Sequence, residues 1–443
     1  MLRSIKFLFN SGFIKSMNQV ASGTLVAQIT MVFSAPLLTA IFPPSSFGAF
    51  AMVVAAANIL VTFASLRVDV LVPFARTQSD LADFVQIAVL GPLMAAIVCT
   101  VMFVMLPPSV RAMFGPISLG DSLVGLIPVV ASGIACMAAM RSLAVRQGMF
   151  ALIGKAQIIR VLALVFASYS LGVLGWTGVG AGLSVGQALG DLLFALLIWH
   201  NISPRCKLRL LTVRPARIWA SIQSEARAIK LLSSTQAIAI LYERGPPLVI
   251  LIAFGPTEVG YYVLAAQIAQ APTVLLASAF DDVFRQRASK LLSRGESLTA
   301  MMRDGLTFTL AVSVLPLSAV ILLVPKFVEP VFGSNWVGAT QTIIITMSVS
   351  IFAFNSSAFD KVPIMLQAHK FIFNWHLARF LLEFVAGVIA IDGVIDYPTW
   401  LLITAIGRAI LYAVKLNASF VLASAYPLVV DRRDAKLRTG SSI

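Results

Sequence analysis

The chain reads as a succession of long apolar runs separated by short polar or Pro/Gly-containing breaks. The runs are continuously apolar, not alternating as membrane strands would be, and each reaches the ~20 residues that carry a helix across a bilayer. This pattern predicts twelve spans at about 18–42, 48–72, 82–106, 122–145, 151–174, 177–201, 230–254, 259–283, 305–324, 339–361, 371–391 and 398–420. One segment breaks the rhythm. Residues 202–229 are polar and basic, and Ile218, Ile222, Ala226 and Ile229 recur there at helical spacing beside Arg217 and Arg227. That spacing predicts an amphipathic helix lying on a membrane surface. The chain thus divides into an N-terminal six-helix lobe (1–201), a linker (202–229), a C-terminal six-helix lobe (230–420) and a tail (421–443).

Composition narrows the class. Of the 443 residues, 59% are hydrophobic and 12% charged, about half the ~25% charge of a soluble domain. A cytosolic enzyme, a disulfide-stapled secreted domain and a disordered chain are excluded. The net charge of +14 would suggest nucleic acid in a soluble protein, but in a membrane protein excess Lys and Arg marks the cytoplasmic side. With the N-terminus inside, 27 of the 33 Lys and Arg fall on that side or its flanks, Arg160 included, and only Arg111 and Lys326 fall outside. Both termini are therefore expected in the cytoplasm. The basic start lacks a small-residue cleavage site and reads as a cytoplasmic N-terminus, not a removed signal. Cys99, Cys136 and Cys206 have no metal-binding spacing, and His200, His369 and His376 form no nucleophile triad. No metal, cofactor or nucleotide motif is readable. The glycines from Gly175 to Gly190 lack the lysine of a phosphate loop and predict close helix packing.

An internal repeat is legible. IFPPSSFGAF (41–50) matches AFGPTEVGYY (253–262) at an offset of 212, so that Phe42 meets Phe254, Pro44 meets Pro256, Ser45 meets Thr257 and Gly48 meets Gly260. At the same offset Asp69 meets Asp281. Both turns lie between the first and second spans of their half, and an even number of spans separates them, so the repeat is parallel. Duplicated six-helix halves are a transporter architecture.

The first span with its turn, ASGTLVAQITMVFSAPLLTAIFPPSSFGAF, resembles the opening of Wzx-type bacterial oligosaccharide flippases of the multidrug/oligosaccharidyl-lipid/polysaccharide exporter superfamily. So do FASLRVDVLVPFA, FGPTEVGYYVLAAQIAQAPTVLLASAFDDVFRQRASKL and VFGSNWVGA, and the likeness covers roughly 17–385. One departure stands out: the family's Arg shortly before the turn proline is replaced here by Thr39, Ala40 and Ile41. The resemblance implies an all-α, MATE-like fold, with two six-helix lobes around a central cleft lined by spans one, two, seven and eight. It implies translocation of an undecaprenyl-diphosphate-linked oligosaccharide across the bacterial inner membrane, for O-antigen or exopolysaccharide assembly. A polysaccharide polymerase and a chain-length regulator are the expected partners.

Charges inside spans cost ~2.5–3.5 kcal/mol each on insertion scales, so they face a cavity or a partner, and a diphosphate is best held by Arg. Arg244 leads as a substrate ligand, because Gly245, Pro246 and Pro247 should break the helix beside it. Arg67 is a second ligand. Glu243, Asp69, Asp281 and Asp282 are candidate coupling or gate acids, and a proton or sodium gradient can act through Glu243 or Asp69. Arg67 and Asp69 should diverge if both lie on a helix, whereas Asp281 and Arg285 are one turn apart. Arg379, Glu383 and Arg408 predict one carboxylate between two arginines at mid-depth, and Asp191 and the Asp360–Lys361 pair are weaker candidates. Trp336 is expected at the outer interface. Three other readings compete. A drug–cation antiporter wants an acid in span one, and 18–42 has none. A glycan polymerase or ligase wants a large charged outer loop, and these are short. A non-transporting scaffold leaves no signature.

Overall fold

The computed structural model describes residues 11–75, 77–106, 121–212, 215–224, 226–269, 284, 288, 291–292, 296–360, 362–366 and 368–439. Among these residues there is no strand, and eleven helices are long and apolar enough to cross a membrane. The predicted eighth span is helical over 256–269, and its remainder lies outside the described residues. The chain forms two compact units, residues 1–263 with 331–336, and residues 264–330 with 337–443.

In the first unit α1 (Ser11–Thr39) and α2 (Pro44–Ala64) meet at a short turn. Pro44 starts α2, where a missing N–H costs nothing and the fixed φ suits the helix. The span predicted to run to residue 72 stops at Ala64. Leu66 and Arg67 take left-handed conformations (φ 50° and 54°), and tight turns follow at Val68–Val70 and Val72–Phe74. Packing imposes this. Val68, Val72 and Ala75 bury themselves in a cluster with Phe84, Leu143, Phe194 and Ile198. Thr77 and Asp80 then form a reciprocal capping box that starts α3 (Gln78–Met105). The first lobe continues with α4 (Asp121–Arg146), α5 (Phe150–Val173) and α6 (Ala181–Asn201). The later glycines of the run do pack closely, whereas Gly175 and Gly178 meet open space. A side chain at Gly186 would strike Ser168, and one at Gly190 the Arg160 carbonyl.

The linker is two helices, α7 (Pro204–Leu211) and α8 (Pro215–Ser224), where the sequence predicts one. Pro215 stands at the first position of α8, where its missing N–H costs nothing. Two α3 residues one turn apart fasten both pieces. The Gln86 amide donates to the carbonyls of Leu210 (2.9 Å), Thr212 (3.2 Å) and Arg209 (3.4 Å) at the end of α7. Asp83 accepts from Arg217 Nε at 3.0 Å and Ser221 Oγ at 2.8 Å on α8.

The next helix, α9 (Ala226–Phe254), corrects a second expectation. It runs unbroken through Gly245, Pro246 and Pro247. Two prolines remove two helical donors, but bilayer helices tolerate this where neighbouring groups re-satisfy the backbone.

The repeat has a structural counterpart. The 41–50 and 253–262 turns lie against each other in reciprocal fashion. A Cβ on Gly48 would collide with the Pro256 carbonyl, and a Cβ on Gly260 would collide with the Pro44 carbonyl. Trp336 closes over this crossing and is not an interface anchor. It is 0% exposed, donates from Nε1 to the Thr39 carbonyl at 3.3 Å, and stands edge-on to Phe47 (5.1 Å) and Tyr261 (6.2 Å).

The second unit contains α10 (Thr299–Phe332), apart from its last two residues, together with α11 (Ala339–Ser357), α12 (Val362–Met365), α13 (His369–Ile391) and α14 (Tyr397–Thr439). One of its cores joins Phe284, Phe359, Val362 and Ala423, and Asn355 donates to Ser313 Oγ at 2.9 Å between α11 and α10.

Two outcomes follow. Gly48→Ala and Gly260→Ala should each destabilise the protein by the ~1–3 kcal/mol of overpacking. Gly125→Ala, into open space on α4, should be neutral or slightly stabilising; thermal unfolding in detergent compares the three. Burial pushes the Cys206 thiol upward, outweighing the opposite pull of Arg209. Thiolate is therefore scarce at neutral pH and grows as pH rises. Maleimide labelling of Cys206 should be slow at pH 7, and Asp83→Ala, by loosening the linker, should speed it several-fold.

Candidate functional site

Most charges at membrane depth are consumed in pairs. Arg160 lies ten residues into α5, ~15 Å along it at 1.5 Å per residue, well inside a helix long and apolar enough to cross a membrane. Its Nε meets Asp191 Oδ1 of α6 at 2.5 Å, and Gln187 holds the other oxygen at 2.8 Å. Asp191 is 0% exposed, and both of its carboxylate oxygens are bonded, which is what burying such a group requires. The last two helices of the second lobe carry the same device with the charges exchanged. Arg408 of α14 forks onto Glu383 of α13, at 2.5 Å from Nε and 2.9 Å from Nη2.

The sequence predicts Arg379 beside the same carboxylate. Both Glu383 oxygens are taken by Arg408, and the Arg379 guanidinium lies over Trp375 (5.6 Å) and Tyr412 (5.3 Å). Lys415 sits 3.9 Å above the same Trp375 and bonds Asp360 at 2.7 Å. Sequence reasoning missed this pair, since 55 residues separate the partners. It also missed Asp83, whose partners lie 134 and 138 residues away. Lys361, Asp281, Asp282 and Arg285 lie outside the described residues.

Arg67 and Asp69 do approach each other, at 3.9 Å. The helical spacing rule that separates them does not apply, because α2 has already ended. Arg67 Nε and Asp69 Oδ1 are buried without a hydrogen-bond partner among the described residues.

Glu243 and Arg244 differ from all of these. Both are exposed on α9, ten or so residues from its end, directly before the two prolines. Neither makes an ion pair among the described residues. A cation and an acid exposed at mid-span require water or a polar ligand, and Arg supplies a planar fork for phosphate oxygens. No group of three or more His, Cys, Asp or Glu among the described residues could hold a metal ion.

The two kinds of charge should respond differently to mutation. Asp191→Asn and Glu383→Gln strand a buried arginine and should lower stability by ~3–5 kcal/mol. Arg244→Ala should leave the thermal midpoint nearly unchanged. Unfolding curves of the three variants at matched detergent concentration check this.

The fold is found in solved structures at low sequence identity. "Lipid II flippase MurJ, inward closed conformation" matches with a TM-score of 0.64 and 12% identity, over 93% of this chain and 90% of that one. A point mutant of the Vibrio cholerae MATE transporter VcmN matches at 0.53 and 11%, over 93% and 96%. A MOP superfamily transporter from Pyrococcus furiosus matches at 0.52 and 14%, over 93% and 96%. These likenesses establish a MurJ- and MATE-like fold in a multi-pass membrane protein. No protein of curated function matches in sequence. The family model described as "Polysaccharide biosynthesis protein" matches residues 37–341, well over half of the chain, and the protein belongs to that family.

Proposed function

We propose that the protein flips a diphosphate-linked polyprenyl oligosaccharide from the cytoplasmic to the outer leaflet of the bacterial inner membrane, by alternating access. The observation that carries this reading is the state of Arg244. Arg160 and Arg408 are neutralised by buried carboxylates and Arg379 lies on aromatic rings, whereas Arg244 stands exposed at mid-span with no carboxylate on it among the described residues. A phosphate-bearing headgroup is the ligand such a cation suits. The family supports a glycan as cargo, and the fold it shares with a lipid II flippase supports a lipid carrier.

Arg244 binds the diphosphate, Arg67 assists, and the lipid tail stays in the bilayer. Glu243 neutralises Arg244 once the headgroup has left, and a proton or sodium ion taken up at Glu243 or Asp69 drives the return. Both termini lie in the cytoplasm, and a polymerase with its chain-length regulator receives the flipped unit.

The test is a deletion strain in which lipid-linked repeat units are resolved by leaflet with a glycan-binding probe on spheroplasts. Units should accumulate on the inner leaflet; full-length units reaching the outer leaflet at the normal rate would remove the reading. In complementation at equal expression, Arg244→Ala should abolish polymer and Arg244→Lys should retain part of it.

A further inference from the structure

We infer that the linker is a docking surface for anionic phospholipid headgroups. The inference does not rest on the transport reading. Residues 202–224 contain five cations (Arg205, Lys207, Arg209, Arg214 and Arg217) and no acid. A segment that only joined two lobes in water would have no reason for such one-sided charge. Its inner face is committed to the protein, with Leu210 buried and Cys206, Ile218 and Ile222 packed against the first lobe's core. Gln86 and Asp83 fix both helices in place.

The outer face is therefore held in one orientation, and it is not purely polar. Leu208 is 70% exposed and Trp219 62% exposed, with Arg209 exposed beside Leu208. Large apolar side chains next to cations, turned away from the protein, fit a membrane interface. There the indole and leucine enter the acyl boundary while the guanidinium and ammonium groups meet phosphates. Location agrees. The segment follows the membrane-crossing α6 after two residues, and Lys207 donates back to the His200 carbonyl in the last turn of that helix at 3.0 Å. The linker thus begins at the membrane surface. A soluble anion would satisfy the cations but leave Trp219 and Leu208 in water, so the occupant is a lipid surface and not a free phosphate. Arg217 is engaged by Asp83, which leaves Lys207 and Arg209 as the described cations that select headgroup charge.

The experiment uses the full-length protein with Cys99, Cys136 and Cys206 replaced by alanine and one nitroxide at Leu208→Cys, Trp219→Cys or Gln223→Cys. It is reconstituted in vesicles of phosphatidylcholine alone or mixed with phosphatidylglycerol. Accessibility to oxygen and to a water-soluble nickel chelate reports immersion, and an unchanged thermal midpoint in detergent certifies each variant's fold. Labels at 208 and 219 should be immersed, at least about threefold more so with phosphatidylglycerol, and the label at 223, one turn beyond 219 on the same face of α8, should be immersed with them. Adding Lys207→Ala with Arg209→Ala should abolish the lipid preference. Nickel-accessible labels at 208 and 219 in both vesicles would overturn the docking surface. Equal immersion in both would overturn the anionic recognition.

Discussion

The first unit is organised around a backbone contact that admits no side chain. Gly48 lies on the Pro256 carbonyl and Gly260 on the Pro44 carbonyl. These are the same two positions of a repeated turn, used twice. A helix that begins at a proline presents its first carbonyls without crowding, and a glycine one turn later lets another backbone rest on them. Because each turn supplies both a proline and a glycine, one crossing yields two equivalent contacts. Trp336 fits over the crossing, bonds Thr39 and packs on Phe47 and Tyr261. This explains why residues 331–336, far along the chain, belong to the first compact unit.

The treatment of charge follows from the bilayer. A buried ion pair is poor evidence of net stability, since desolvation offsets much of the attraction. Its value here is placement: one pair joins α5 to α6 and one joins α13 to α14. With those carboxylates consumed, the exposed Glu243 and Arg244 become conspicuous. Their exposure has a cost at mid-span unless something polar is present.

Fold class and the repeated turn were legible because they are local or periodic: apolar run length, and Pro-then-Gly spacing at one offset. The packing of the later glycines was legible for the same reason. What could not be read was pairing across the chain. Arg160 looked like a flanking charge because its depth is set by where α5 begins, and Asp191 lacked a partner until α5 and α6 packed together. Glu383 had two arginines within reach, and only geometry decided that Arg408 takes both oxygens. Trp336 sits in a Gly/Asn turn, which suggests an interface, but its burial depends on turns nearly 300 and about 75 residues earlier. Pro246 and Pro247 suggested a break that a packed bilayer helix does not need.

The end of α2 shows how packing overrides periodicity at a candidate site. Left-handed conformation costs a non-glycine residue ~1–2 kcal/mol, so Leu66 and Arg67 together store ~2–4 kcal/mol. A fully buried valine returns ~1.5–3 kcal/mol, and Val68 and Val72 are both fully buried. Ending the helix is therefore favourable, because a continued helix would point those valines elsewhere. The same kink brings Arg67 within 3.9 Å of Asp69, which an α-helix forbids to residues two apart. At that distance the pair is too loose to satisfy both groups, and Arg67 Nε and Asp69 Oδ1 keep unused hydrogen-bonding capacity among the described residues. Hydrophobic burial thus sets the geometry of a charged pair whose own attraction is too weak to do so.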